Sequence, residues 1–403
     1  MNTPTAPTSV RFHGLDTLRS LAILAVIIFH LWGFGGEGTL PDWLIPVAKF
    51  GWMGVDLFFV LSGYLIGSQL LKPYAAGERP GLWSFYRNRA YRILPTFLAV
   101  LALYLAVPWW AEDHSLAPLW EYLTFTFNLF VDYGQFQGFS HVWSLCVEEH
   151  FYLLLPMIAI AMMRKPSARK TAALVSGIAV FGIAIRWLML ADVLRPAMQR
   201  DGSFGMLYIE RIYYPTYSRL DGLLAGVVLA TIRVFRPAWW QAVAKRGHLL
   251  TIAGVGITGI AVWLFQNRSQ AVSGVAAVGT VIGFPVLALG LAMLTASAMS
   301  NNGALSRWKV PGAKLIATLA YTLYLTSKAL IHIVDLCFPH LHEASMWGRL
   351  AVYAGFCLIT AGALHLCVER PFLWLRDRKN PASLPGSQMH GTGGTLNEVG
   401  CDR

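Results

Sequence analysis

Ten stretches of the chain are long and apolar enough to be read as membrane spans. A span needs about 20 mostly apolar residues to cross the hydrocarbon core. The stretches are 15–34, 50–71, 91–110, 145–163, 171–190, 217–232, 249–265, 272–298, 313–335 and 348–369. A further apolar piece, 119–131, is too short to cross and reads as an interfacial or re-entrant segment. The pattern predicts an all-α polytopic membrane protein, a bundle of about ten transmembrane helices.

The connecting segments orient the bundle. With the N-terminus inside, one set of loops carries Lys72, Arg79, Arg87, Arg89 and Arg92, then Arg164, Lys165, Arg169 and Lys170, then Arg233, Arg236, Lys245 and Arg246. The opposite set carries little besides Lys49, Arg195, Arg200, Arg211 and Arg268. This asymmetry follows the positive-inside rule except in the mixed segment 191–216, and an odd number of spans would break it. Both termini are therefore expected in the cytoplasm, with a short N-terminal segment at 1–14, a membrane domain at 15–378 and a tail at 379–403. The tail is polar and rich in Gly and Ser, a composition that favours disorder. The first apolar run holds Arg19 and His30 and is expected to stay as a span, not to be cleaved as a signal peptide.

Composition narrows the class. The chain is 56% hydrophobic and 13% charged, against roughly 25% charged in soluble domains. A net charge of +11 in so apolar a chain points to anionic membrane lipids as partners, with no nucleic acid expected. The five cysteines show neither CxxC nor zinc spacing, so no disulfide framework and no metal site is expected. The sequence carries no signal for oligomeric state.

Ionisable groups inside spans cost several kcal/mol and usually face the bundle interior, so they mark the candidate chemistry. Arg19 and His30 are eleven residues apart, about three helical turns, and share one face over roughly 16 Å. Each alone also fits an interfacial side chain that snorkels. Asp56 in the second span is expected near the depth of His30, where a carboxylate could orient the imidazole. Ser62-Gly63 reads as a close-packing pair more than as a nucleophile. Arg87, Arg89 and Arg92 follow on the cytoplasmic side, and Arg89 and Arg92 project from one face as a fork suited to phosphates. Lipid anchoring explains such a cluster as well. The fourth span opens with Trp143, Ser144, Glu148 and Glu149, the sixth with Arg219 and Asp221, and the ninth holds Tyr324, Ser327 and Lys328. Together these predict an outward pocket (His30, Asp56, Glu148, Glu149, Arg219, Asp221, Lys328) above an inward mouth of arginines (Arg19, Arg87, Arg89, Arg92). Trp143, Ser144 and Tyr324, with Arg219, Asp221 and Lys328, are the candidates for holding the acceptor.

Five separated segments carry a family resemblance. They are the Arg-x10-His spacing of Arg19 and His30, Gly54-Val-Asp-Leu-Phe-Phe-Val-Leu-Ser-Gly-Tyr-Leu-Ile66, Phe85-Tyr-Arg-Asn-Arg-Ala-Tyr-Arg-Ile-Leu-Pro95, His141-Val-Trp-Ser-Leu-Cys-Val-Glu-Glu-His-Phe-Tyr152, and Arg219-Leu-Asp-Gly-Leu-Leu-Ala-Gly226. In this order the chain resembles the acyltransferase-3 family of bacterial membrane O-acyltransferases. The resemblance implies a bundle of about ten spans, His30 as catalytic base, Arg89 and Arg92 in acyl-CoA handling, and a functional Glu148. It also implies acetyl-CoA or another short acyl-CoA as donor substrate, with no tightly bound cofactor, and a carbohydrate or glycolipid acceptor at the cytoplasmic (inner) membrane. One departure stands out: where relatives read Tyr-x-x-Tyr-Leu-x-His, this chain has Ser327 in the histidine's place. Some relatives carry a C-terminal hydrolase-like domain, for which this chain is expected to be too short. Two other readings are an O-acyltransferase of a macrolide or similar small molecule, and a polysaccharide transporter or exporter. The transporter reading would call for inverted repeats with broken helices, and the sequence shows no such repeat.

Overall fold

The computed structural model describes residues 12–35, 38–113, 115–201, 204–266 and 274–378. The tail 379–403 and most of 1–14 lie outside the described residues. Every expected span falls on a helix: α1 (His13–Phe34), α2 (Met53–Ala75), α3 (Leu82–Ala106), α4 (Trp143–Arg164), α5 (Ala168–Leu188), α6 (Asp221–Phe235), α7 (Gly247–Phe265), α8 (Gly274–Ala298), α9 (Ala313–Cys337) and α10 (Met346–Leu364). No strand occurs among the described residues.

Eight of these helices, not ten, are individually long and apolar enough to cross a membrane. The other two are α6 and α9. Helix α6 qualifies only together with the short helix Pro237–Ala244, to which it is bent by 112°. Helix α9 has 25 residues and is buried along most of its length. A helix enclosed by other helices need not be apolar all round, so α9 can carry Ser327 and Lys328. The chain is thus a multi-pass helical membrane protein in which α9, not apolar enough to qualify as a span alone, is largely buried.

The bundle is assembled by close backbone approach. On α2 and α6, Gly63 and Gly226 face the opposing helix. A Cβ on Gly63 would lie 2.1 Å from the Leu223 carbonyl oxygen, and one on Gly226 would lie 2.2 Å from that of Val60. Only glycine permits that contact, the usual means of packing helices where water supplies no driving force. Helix α1 packs on α2 and α9, so the helix bearing Arg19 and His30 runs beside the helix bearing Tyr324, Ser327 and Lys328. Exposed tryptophans sit near helix ends and in connecting segments (Trp43, Trp83, Trp109, Trp120, Trp239, Trp308), the positions of an aromatic belt.

The piece 119–131 does not cross. It forms two short helices, Leu119–Leu123 and Phe127–Phe130, joined through Phe125 in the left-handed region at φ 56°. Asn128 donates to the Tyr214 carbonyl at 3.2 Å and to Thr216 Oγ1 at 2.8 Å, tying the segment to the connection before α6.

Candidate active site

Two cavities lie back to back inside the bundle. The larger is about 370 Å³ and is lined by Arg19, Arg89, Arg92, Gln69, Ser62, Ser144, Glu148, Tyr152, Tyr321 and Arg376, with apolar walls from α2 and α9. The smaller is about 120 Å³ and is lined by His30, His141, Ser140, Trp52, Trp143, Tyr133, Tyr213, Tyr214 and Lys328. Val55 and Tyr324 line both, so one layer of side chains separates the two. Tyr324 is pinned there. Its hydroxyl donates to the His141 carbonyl oxygen and lies 2.5 Å from Ser144 Oγ.

The arginine chamber gathers cations from three parts of the chain. Arg19 comes from the first turns of α1, Arg89 and Arg92 from one face of α3, and Arg376 from the C-terminal helix Arg370–Arg378. Arg89 donates to Gln69 Oε1 at 2.9 Å and lies over the Tyr152 ring, 5.6 Å from its centroid. Arg376 also pairs with its neighbour Asp377 at 2.8 Å. Arg87 does not line the chamber: two residues from Arg89 on a helix, it points to another side. Guanidinium groups at the mouth of a cavity suit phosphates or carboxylates, which they bind through paired N–H donors.

Glu148 requires a correction of depth. It was expected beside His30, but it lines the arginine chamber, one helical turn beyond Ser144 on α4. Its Oε2 accepts from Tyr152 and, at 3.4 Å, from Ser62. Ser62 and Tyr152 are themselves hydrogen-bonded, so Ser62 belongs to this network while its neighbour Gly63 serves the packing. Glu149 points away and lines neither cavity, and its buried Oε1 has no hydrogen-bond partner among the described residues.

The histidine chamber is built from α1, α9 and the start of α4. His30 is buried, and its Nδ1 lies 3.2 Å from Ser327 Oγ. The partner of the imidazole is therefore not Asp56 but the serine that stands where relatives have a histidine. Asp56 instead accepts from Arg219 at 2.8 Å in a buried pair, and neither residue lines either of these two chambers. The Arg219 guanidinium is sandwiched among rings, 5.2 Å from Trp143, 4.6 Å from Tyr213 and 3.9 Å from Phe284. It supports the aromatic wall from behind. Asp221 is committed too, paired with Arg186 at 2.7 Å. The expected place of Asp56 beside the imidazole, and of Arg219 and Asp221 at the acceptor, is thus corrected to supporting ion pairs.

Lys328 does reach the chamber. It pairs with Glu112 at 2.8 Å and donates to Ser140 Oγ at 3.0 Å and to the Gln137 carbonyl at 3.1 Å. Glu112, His141, Arg186 and Arg376 were absent from the sequence-based site. Arg186 had a signal, an arginine inside an otherwise apolar span. Glu112, Gln137 and Arg376 lie outside the quoted motifs and had none. The described residues contain no cluster of His, Cys, Asp or Glu that would hold a metal ion.

A helical membrane bundle with an arginine-lined and a histidine-lined chamber, divided by one tyrosine and one valine, has the layout of a group-transfer domain built into the bilayer. The sequence comparison names the family. The profile of the acyltransferase domain matches residues 12–367, and the chain belongs to the acyltransferase-3 family. Among curated relatives, the chain is similar to the provisionally named O-acetyltransferase SACOL0978 of Staphylococcus aureus strain COL. The two are 30% identical over 231 residues, 54% of this chain and 34% of that protein. It is also similar to the O-acetyltransferase OatA of Staphylococcus aureus strain NCTC 8325, at 26% identity over 262 residues, 62% of this chain and 39% of OatA. The matched region spans between a third and two fifths of the length of these relatives. No solved structure matches the chain significantly.

Proposed function

We propose that this protein is a membrane O-acyltransferase that moves a short acyl group, in the first place acetyl, from acyl-CoA to a hydroxyl of a cell-surface or lipid-linked carbohydrate. The observation that carries this reading is the pair of back-to-back chambers sharing Tyr324 and Val55. Acyl-CoA is a polyanion with a long neutral arm ending in a thioester. Arg19, Arg89 and Arg92 suit its phosphates. The arm would cross the chamber toward Tyr324 and present the thioester to the histidine side. Loop charge supports a cytoplasmic arginine face and cytoplasmic termini, on the side where acyl-CoA is found, and the family suits the bacterial cytoplasmic membrane.

In the reaction, the acceptor oxygen attacks the thioester carbonyl while His30 takes the hydroxyl proton. The carbon–sulfur bond then breaks, and the imidazolium returns the proton to the leaving thiolate, giving an ester and free CoA thiol. Ser327 holds the His30 ring at Nδ1. The names of the two relatives, both O-acetyltransferases, support the acetyl donor and the oxygen acceptor. The test is transfer of labelled acetyl from acetyl-CoA to surface glycans in membranes with wild-type protein or His30→Ala. The variant should insert normally and lose transfer; substantial residual transfer would refute the base assignment.

A further inference from the structure

The smaller chamber holds two imidazoles. His30 and His141 both line it, with ring centroids 6.0 Å apart and planes inclined at 66°. His141 is 5% exposed. Its Nε2 lies 3.1 Å from the Leu325 carbonyl oxygen. A carbonyl can only accept, so Nε2 carries the proton, and in the neutral ring Nδ1 carries the lone pair. That Nδ1 is buried and has no hydrogen-bond partner among the described residues. A buried acceptor left unpaired costs free energy, and in a cavity its natural partner is a ligand.

Two polar neighbours, Lys328 and Tyr324, are already committed. Lys328 directs three N–H donors at Glu112, Ser140 and Gln137, which exhausts an ammonium group. The Tyr324 hydroxyl donates to the His141 carbonyl. Much of the remaining wall is aromatic, from Trp52, Trp143, Tyr213 and Tyr214. What the chamber offers a ligand is therefore two imidazoles close together and flat aromatic rings, those of Tyr133, Tyr213 and Tyr214 carrying hydroxyls.

We propose, resting on the acyl-transfer reading of this site, that the acceptor binds through two neighbouring hydroxyls. One gives its proton to His30 as it attacks the thioester, and the other donates a hydrogen bond to His141 Nδ1. The substrate class is then a vicinal diol, such as the edge of a pyranose ring. His141 determines which hydroxyl of the pair reaches His30. The ring separation suits two hydroxyls on adjacent carbons, each within hydrogen-bond reach of one imidazole. A lone hydroxyl would leave His141 buried and unpaired, and sites built to hydrogen-bond a substrate hydroxyl discriminate strongly against analogues that lack it.

The experiment compares acetylation of methyl hexopyranosides with that of their monodeoxy counterparts, each lacking one hydroxyl of a vicinal pair. Full-length protein in membranes is supplied with acetyl-CoA, and kcat/KM is read for wild type, His141→Phe and His141→Gln. Wild type should prefer the intact diol by about tenfold or more. His141→Phe should bring that ratio close to one, and His141→Gln, whose amide oxygen still accepts, should keep part of it. An unchanged apparent KM for acetyl-CoA in both variants shows that the donor chamber is intact. Equal use of diol and monodeoxy acceptors by wild type overturns this inference alone. So does a His141→Phe variant that loses activity on both while keeping the ratio, since that outcome makes His141 a general base. A wild type that acetylates no glycoside refutes the carbohydrate reading and this inference with it.

Discussion

Arg186 is the residue whose replacement tests the corrected site most directly. Its side chain is fully buried on α5. Its guanidinium makes four hydrogen bonds: NH1 to Asp221 Oδ2 at 2.7 Å, NH2 to Asp221 Oδ1 at 3.2 Å, NH1 to the Ser218 carbonyl at 2.7 Å and Nε to the Val281 carbonyl at 2.8 Å. One side chain thus ties α5 to the start of α6 and to α8. Arg186→Met keeps much of the volume but leaves Asp221 without its counter-charge, with its side chain only 9% exposed. Breaking one member of a buried pair costs about 3–5 kcal/mol, because the remaining charge stays buried and uncompensated. Asp221→Asn in the Arg186→Met background removes that charge. The double variant should recover part of the loss, leaving a coupling energy of about 1–3 kcal/mol.

The assay is reversible denaturant unfolding in a fixed detergent, followed by the loss of the folded peak in size exclusion, with acetyl transfer measured on the fraction that remains folded. The structure predicts a large drop in unfolding midpoint for Arg186→Met, partial recovery in the double variant, and a near-normal apparent KM for the acceptor. Additive losses in the two single variants would refute the pair as drawn. An unchanged midpoint for Asp221→Asn with a raised acceptor KM would return Asp221 to the acceptor site.

Arg89→Ala combined with Arg92→Ala should raise the apparent KM for acetyl-CoA by about a hundredfold or more, since each lost charge-assisted hydrogen bond is worth about 1.5–3 kcal/mol; an unchanged KM would make these residues lipid anchors. Arg376→Ala should raise the same KM by less than tenfold, because this arginine shares its charge with Asp377, and no effect at all would remove it from the donor chamber. Gly226→Ala places a methyl against the Val60 carbonyl at the α2–α6 contact. It should lower stability by about 1–3 kcal/mol as overpacking does, read as a fall in the same unfolding midpoint.

What the sequence revealed about the site divides along a physical line. Groups on one helix face could be placed from spacing alone. Arg89 and Arg92 line one chamber together, and Arg19 and His30, three turns apart, fall in the arginine and histidine chambers respectively. Partners between helices could not be placed. Asp56 and Arg219 are 163 positions apart, and Glu112 sits in a connecting segment 216 positions before Lys328. Equal depth in the bilayer made Asp56 a reasonable neighbour for His30, but depth fixes only one coordinate. Rotation about the helix axis decides which neighbour a side chain meets, and it turns Asp56 toward α6. Apolarity has a related limit as a measure of span number. Helix α9 carries Lys314, Lys328 and Asp335 and does not qualify alone, whereas α2 and α8, also largely buried, do.

The same reasoning explains why the supporting ion pairs surround the chambers without entering them. Buried charges cost least when fully paired, and a charge used by substrate cannot also be permanently neutralised. Asp56 is paired with Arg219 and Asp221 with Arg186 inside the bundle, and Arg219 spreads under the rings of Trp143 and Tyr213 that wall the histidine chamber. Arg19, Arg89 and Arg92 gather on the other side of Tyr324 with few acids among them, Glu148 chief of these and already accepting from Tyr152. That excess of positive charge is costly in a bilayer unless an anion spends time there. Under the proposed reaction the anion is the donor's phosphate groups, and the pinned Tyr324 hydroxyl holds the partition that keeps those phosphates on the arginine side while the thioester is offered across it.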